Sequence, residues 1–390
     1  MKDKKNGITR RQLTLTAALV ASTWGLPAQA QNSVGELVIG QVASMTGSNG
    51  ADLGQGLQLG LRLALAQTNA AGGINGRKLR LAVRDDQYLP AETVSLTAQL
   101  LEQEKPIALA GYRGTANTLA LIKSGLLTQA GIPLVGTLTG AQEVQGADNI
   151  FHVRTSYREE ITQIVNQLGR MSIERIGLFY VDDAFGQAGR DALEKALASQ
   201  NRKPVAHAAY DKAADKVIPT IDAAVATLLA TRPQAIVMVA VGEPVYEFIK
   251  RFRGKSMSTR LVSLSVVDPA AVTRKLGQDM AHGIGFSQVF PFPHTDSVQV
   301  VRAYRKQLAA QAPEATPNYF SLEGYISGLV LVEAIKRAGA NPTREKVLQA
   351  LLRLPELDLG GFFVKLDPTS HNGSRFSELT VVGRDGRLTR

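Results

Sequence analysis

Two successive series of short apolar runs, each run followed by a stretch of helical period, constrain this chain's fold more than any other feature. Runs at 36–42 (Glu-Leu-Val-Ile-Gly-Gln-Val), 78–84, 106–110 and 132–135 read as strands, and 54–70, 91–104 and 115–130 read as the helices between them. In the first helix Leu53, Leu57, Leu61 and Leu65 recur at every fourth position, an apolar stripe that faces a core. Ala-Gly-Gly at 71–73 ends it, and Asn75-Gly76 reads as a turn. The pattern then restarts, with strands at 174–181, 204–209, 234–241 and 260–264 and helices at 185–200, 215–231 and 243–253. Strand–helix alternation of this kind builds a parallel sheet covered on both faces by helices. At 390 residues the chain exceeds what one core needs. The expected fold is therefore α/β, with two doubly wound parallel-sheet lobes.

Residues 150–156 join the first series to the second, and an extended aromatic stretch follows the second at 284–292. Helices are expected at 297–311, 319–339 and 343–353, and a strand-like tail at 377–382. Two or three crossings between lobes would form a hinge. The lobes are assigned 34–154 with 288–360, and 155–287 with 361–390.

The N-terminus reads as an address. Lys2, Lys4, Lys5, Arg10 and Arg11 precede an apolar stretch from Leu13 to Leu26, which ends in Pro27-Ala28-Gln29-Ala30, a small-x-small cleavage signal before Gln31. Thr9-Arg10-Arg11-Gln12-Leu13-Thr14-Leu15 resembles a twin-arginine signal, and an ordinary Sec signal remains an equal alternative. Both readings put the mature chain in the periplasm. The apolar run is too short to span a bilayer, and no later segment reaches that length. The absence of cysteine removes a lipid anchor, disulfides, thiolate metal sites and cysteine nucleophiles. Of the formal charge of +10, residues 1–30 carry +4. The rest is spread thinly, without the basic stripe and interleaved aromatics of a nucleic-acid binder.

In open α/β sheets ligands bind beyond the carboxyl ends of the strands, where helix N-termini offer free N–H groups and a positive partial charge. Two lobes can face those ends across one cleft, a setting that suits a carboxylate.

Several strings resemble the type I periplasmic solute-binding proteins of ABC importers, in particular the leucine/isoleucine/valine-binding family. They are Ile39-Gly40-Gln41 through Met45-Thr46-Gly47; Asn69-Ala70-Ala71-Gly72-Gly73-Ile74-Asn75-Gly76-Arg77-Lys78-Leu79, leading to Asp85-Asp86; and Gly131-Ile132-Pro133-Leu134-Val135. Tyr180-Val181-Asp182-Asp183-Ala184-Phe185-Gly186-Gln187-Ala188-Gly189 and Glu323-Gly324-Tyr325 complete the set. The resemblance covers about residues 36 to 386. It implies a Venus-flytrap fold with three crossovers and delivery of a small ligand to an inner-membrane ABC permease; a monomer without cofactor or metal is expected.

The resemblance also implies a site. Thr115, in the loop Gly111-Tyr112-Arg113-Gly114-Thr115, matches the family's helix-terminal hydroxyl, with a plain N-cap as the simpler role. In Gly136-Thr137-Leu138-Thr139-Gly140, Leu138 (through its backbone) and Thr139 match the next carboxylate-binding loop, Thr137 competing with Thr139. Phe185 matches an aromatic cleft wall, and Tyr157 is a second wall candidate. Two family features are missing. Ser265 stands where amino-acid binders carry the acid for the ligand ammonium, and Val241 stands where an aromatic is expected. A buried ammonium without a carboxylate is costly. Either Glu243, Asp183 or Asp268 substitutes, or the ligand, an amino acid or related small carboxylate, lacks an α-ammonium.

Rival classes are an enzyme and a binding protein that serves a separate receptor. Gly54-x-Gly56-x-x-x-Gly60 lies about ten residues past the first strand, too far to cradle a pyrophosphate, and reads better as helix packing. The five histidines have no metal-ligand spacing, and no nucleophile elbow is present. Asp85-Asp86 and Asp182-Asp183 are adjacent at strand ends, so their side chains should diverge.

Overall fold

The computed structural model describes residues 35–47 and 49–389; the export signal expected in 1–30, with cleavage after Ala30, lies outside them. The first series forms β1 (Leu37–Ala43), α1 (Ala51–Ala70), β2 (Leu79–Asp85), α2 (Pro90–Gln103), β3 (Ala108–Ala110), α3 (Thr115–Ser124), α4 (Leu126–Gln129), β4 (Leu134–Val135) and β5 (Ile150–Phe151). The strands make one sheet in the order β2-β1-β3-β4-β5, parallel at every pairing. The helix expected over 115–130 is two helices, because Gly125 at φ 70 closes α3 in the left-handed region and α4 starts from it.

The second series forms α5 (Tyr157–Arg170), β6 (Ile176–Val181), α6 (Ala184–Ala198), β7 (Ala206–Tyr210), α7 (Val217–Thr231), β8 (Ala235–Val239), α8 (Glu243–Arg253), β9 (Arg260–Ser263), α9 (Pro269–Leu276), α10 (Gln278–Ala281) and β10 (Gly285–Gln288). The chain continues through α11 (Gln299–Gln311), α12 (Tyr319–Arg337), α13 (Arg344–Leu352), β11 (Leu357–Asp358), β12 (Phe363–Val364), β13 (Glu378–Val382) and β14 (Leu388–Thr389). The second sheet runs β14-β13-β10-β9-β8-β6-β7. Its β7, β6, β8, β9 and β10 are parallel, and β13 and β14 add an antiparallel edge. The expected strand-like tail at 377–382 supplies that edge as β13. The tail re-enters from the first lobe without a crossover helix, which a parallel partner would require.

The three crossings are bonded to one another. His152 on the first donates its N–H to the His371 carbonyl on the third at 3.0 Å, and Gly373 N–H returns to the His152 carbonyl at 2.8 Å. The second joins the third where β10 pairs with β13. Phe362 and Val364, expected with the second lobe, pack in the buried cluster of Leu37, Ile39, Leu61, Tyr325 and Val330 in the first. The final crossing therefore lies nearer β13 than residue 361.

A helix pair closes that lobe. A Cβ at Gly60 of α1 would lie 2.0 Å from the Ser321 carbonyl oxygen of α12, so the two backbones touch. This places the Gly54–Gly60 string in helix packing, as its distance from β1 suggests. No described helix is long and apolar enough to cross a membrane.

Candidate ligand-binding site

In each sheet the strand order reverses beside the first strand of its series, between β1 and β3 in one lobe and β6 and β8 in the other. Loops leaving those carboxyl ends diverge and open a crevice. The two crevices meet. One cavity is lined by Leu53, Tyr88, Arg113, Gly114, Thr115 and Leu138 on one side and Tyr157, Phe185, Val241 and Val266 on the other. The lobes are closed, since a single buried cluster runs from Leu53 and Leu138 through Tyr157 and Phe185 to Phe179 and Phe248. The space left is about 10 Å³.

Arg113 dominates the first lobe's side. Its Nη1 donates to Ser44 Oγ, and its Nη2 donates to the Asn49 carbonyl at 2.9 Å. Its Nε has no hydrogen-bond partner, although the residue is only 2% exposed. The guanidinium stacks 4.2 Å over the Tyr88 ring. Among the described residues no carboxylate lies within ion-pair distance of it. Burial lowers its pKa, with Tyr88, Asp86 and Asp52 opposing. A guanidinium removed from water without a counter-ion is costly unless something negative is meant to meet it.

Tyr88 reaches this position through an unusual backbone. Gln87 and Tyr88 have φ of 50 and 65, two consecutive left-handed residues without glycine. Asp86 pins the turn, accepting from Tyr88 N–H at 2.9 Å, Thr93 Oγ1 at 2.7 Å and Asn117 Nδ2 at 3.2 Å. Burial pushes its carboxyl pKa up, and these hydrogen bonds pull it back. Asp85 turns elsewhere, accepting from Met45 N–H at 2.8 Å and Thr46 Oγ1 at 2.6 Å. The adjacent acids diverge and hold loops.

Thr115 is the first residue of α3, with Gly114 in the cap position and no side-chain cap. The N-cap role weighed for Thr115 is therefore absent. Its Oγ1 lies 2.8 Å from Thr139 Oγ1 instead, and both hydroxyls are buried. Leu138 lines the cavity, but its N–H donates to the Tyr112 carbonyl at 2.8 Å and its carbonyl accepts from Gly114. Thr137 is drawn away to His152 Nδ1 at 2.8 Å. Tyr157 begins α5 and packs its ring 5.3 Å from Phe185. Burial pushes its hydroxyl up to about 12.

Thr115, Leu138, Tyr157, Phe185 and Val241 thus share one cavity, with Thr139 bonded behind Thr115. Asp183 and Ser265 are occupied otherwise. Asp183 caps α6, accepting from Phe185 and Gly186 N–H, and pairs with Lys212 at 2.7 Å. Ser265 gives its N–H (2.9 Å) and its hydroxyl (3.0 Å) to Glu160 and accepts from Arg154. Glu243 pairs with Lys275 at 2.6 Å on the surface, and Asp268 caps α9. Arg113, Tyr88 and Val266 were not among the expected site residues. Arg113 lay inside the quoted 111–115 loop, and its charge between apolar neighbours was the available signal.

A profile of the periplasmic binding protein family matches residues 36–387. The chain is 25% identical over 335 residues to an amino acid binding protein of Pseudomonas aeruginosa, covering 84% of each. A substrate-binding periplasmic protein from Ralstonia solanacearum superposes with a TM-score of 0.84 at 34% identity, covering 90% of this chain and 99% of that one. A possible leucine/isoleucine/valine-binding protein from Rhodopirellula baltica superposes with a TM-score of 0.85 at 27% identity, covering 92% and 96%.

Proposed function

We propose, from the premise that this chain belongs to the periplasmic binding protein family, that the solute it takes between its lobes bears a carboxylate and passes to an ABC permease. The carrying observation is Arg113, a buried guanidinium in the cleft with an unpartnered Nε and no acid paired to it. The Thr115–Thr139 hydroxyl pair and the N-terminus of α3 lie beside it, and both suit a carboxylate oxygen. Basic and apolar residues in 1–30 support export with cleavage after Ala30.

A cavity of about 10 Å³ is at the limit for one water, so a solute enters only when the lobes part. The first lobe then offers Arg113 and the α3 terminus, and the second brings Tyr157, Phe185, Val241 and Val266 over the solute's far end. Contacts from both lobes favour the closed form. Micromolar affinity corresponds to about 8 kcal/mol. Charge-assisted hydrogen bonds contribute about 1.5–3 kcal/mol each, and a helix N-terminus about 0.3–2 kcal/mol. Two or three such contacts with closure over the apolar walls reach that affinity.

Mass spectrometry of small molecules released from the purified protein, followed by calorimetry with the acids found, tests this reading. Arg113→Gln is expected to weaken binding at least about tenfold. Small-angle scattering should show compaction on adding the same acid. Unchanged affinity in Arg113→Gln would remove the carboxylate contact, and no compaction would remove closure.

A further inference from the structure

We propose that the solute is a monocarboxylate with an apolar body and no α-ammonium. The inference rests on the carboxylate reading above and concerns the other end of the molecule. None of the residues lining the cleft cavity is acidic. The acids around it are engaged: Asp86 by Thr93, Asn117 and the Tyr88 N–H, Asp183 by its helix cap and Lys212, Glu160 by Ser265. Asp52, in the first turn of α1, lies outside the lining; burial raises its carboxyl pKa, and its charge acts on Arg113 from there and not on the second lobe's walls.

Ser265 is no substitute. Its hydroxyl accepts from Arg154 and donates to Glu160, and its N–H is also given to Glu160, so the residue faces a buried network. What the second lobe presents to the cavity is Tyr157 and Phe185, each at 3% exposure, Val241 at 8% and Val266 at 2%, none of them charged. An ammonium there would lose its water, meet no counter-ion and lie in the same small cleft as the Arg113 cation. Desolvation and like-charge repulsion both oppose it. A hydrocarbon end meets neither penalty and gains from burial against those side chains.

Calorimetry on the purified chain, dialysed free of carried-over solute, tests this with pairs that differ only by the ammonium: isocaproate against L-leucine, hydrocinnamate against L-phenylalanine, propionate against L-alanine. The corresponding neutral amides form a third series. The expected result is that the best amine-free acid binds at least about tenfold tighter than its amino acid and its amide. Amino acids binding as tightly as their amine-free partners would overturn the amine-free class and leave the carboxylate reading standing. Amides matching the acids, or no acid binding at all, would overturn both. Arg113→Lys, with the fold checked by circular dichroism, should keep part of the affinity that Arg113→Gln loses.

Discussion

Glu323→Gln is expected to make the protein more stable at mildly alkaline pH than at mildly acid pH, relative to wild type. Three charged groups from three parts of the chain meet at the hinge: Arg154 on the first crossing, Glu160 on α5 and Glu323 on α12. Arg154 lies 3.6 Å from Glu160 and 3.7 Å from Glu323, and the three side chains are between 0% and 3% exposed. Glu160 has Ser265 as a second partner, whereas Glu323 Oε1 makes no hydrogen bond. One cation thus faces two carboxylates, and Glu323 is the worse solvated. Burial raises its pKa to about 7 from 4.5, Glu160 adds to the rise and Arg154 opposes it.

A folded pKa above the unfolded one means that the folded protein holds the extra proton between the two values. Its stabilising contribution is complete below pH 4.5 and is lost as pH rises through about 7. At 1.36 kcal/mol per unit, the loss is about 3 kcal/mol. Glutamine is neutral throughout, so the variant escapes the loss. Urea unfolding of both proteins from pH ~5 to pH ~8 should show the variant gaining roughly 2–3 kcal/mol on wild type across that range, with the same m-value. His152, held down to about 4 by burial, loses stability in the opposite direction as pH falls, but it is present in both proteins and cancels in the difference. A difference that stays flat with pH would refute the placement of the proton on Glu323.

Thr115→Val should weaken binding of the native carboxylate and cost about 1 kcal/mol of stability or less, because the buried Thr139 hydroxyl loses one partner and keeps the Ala141 N–H; calorimetry and a urea melt read the two effects separately. Gly60→Ala, whose added carbon falls 2.0 Å from the Ser321 carbonyl oxygen, should destabilise by about 2–3 kcal/mol, and a thermal midpoint within about a degree of wild type would contradict the helix contact.

Much of the fold was legible because its determinants are local. The Leu53–Leu65 stripe, the punctuation at 71–76 and the restart near 174 each specify an element or a lobe from residues close in sequence. Two lobes followed from that repetition. So did the position of the cleft, since strand–helix alternation by itself puts carboxyl-end loops on one side of each sheet. Thr115, Tyr157, Phe185 and Val241, named from the family resemblance and its departures, line one cavity there.

What sequence could not decide is set by groups that meet only in space. Gly60 is a packing residue because Ser321 touches it across 261 positions of chain. The tail's antiparallel edge depends on the third crossing, which no local pattern fixes. Ser265 was legible as a missing acid, yet only the tertiary structure shows its hydroxyl bound between Arg154 and Glu160. Arg113 stood in plain view at 113. That no described carboxylate pairs with it, and that its Nε is left without a partner in the closed cleft, comes from the loops folded around it, and this makes it the centre of the proposed site.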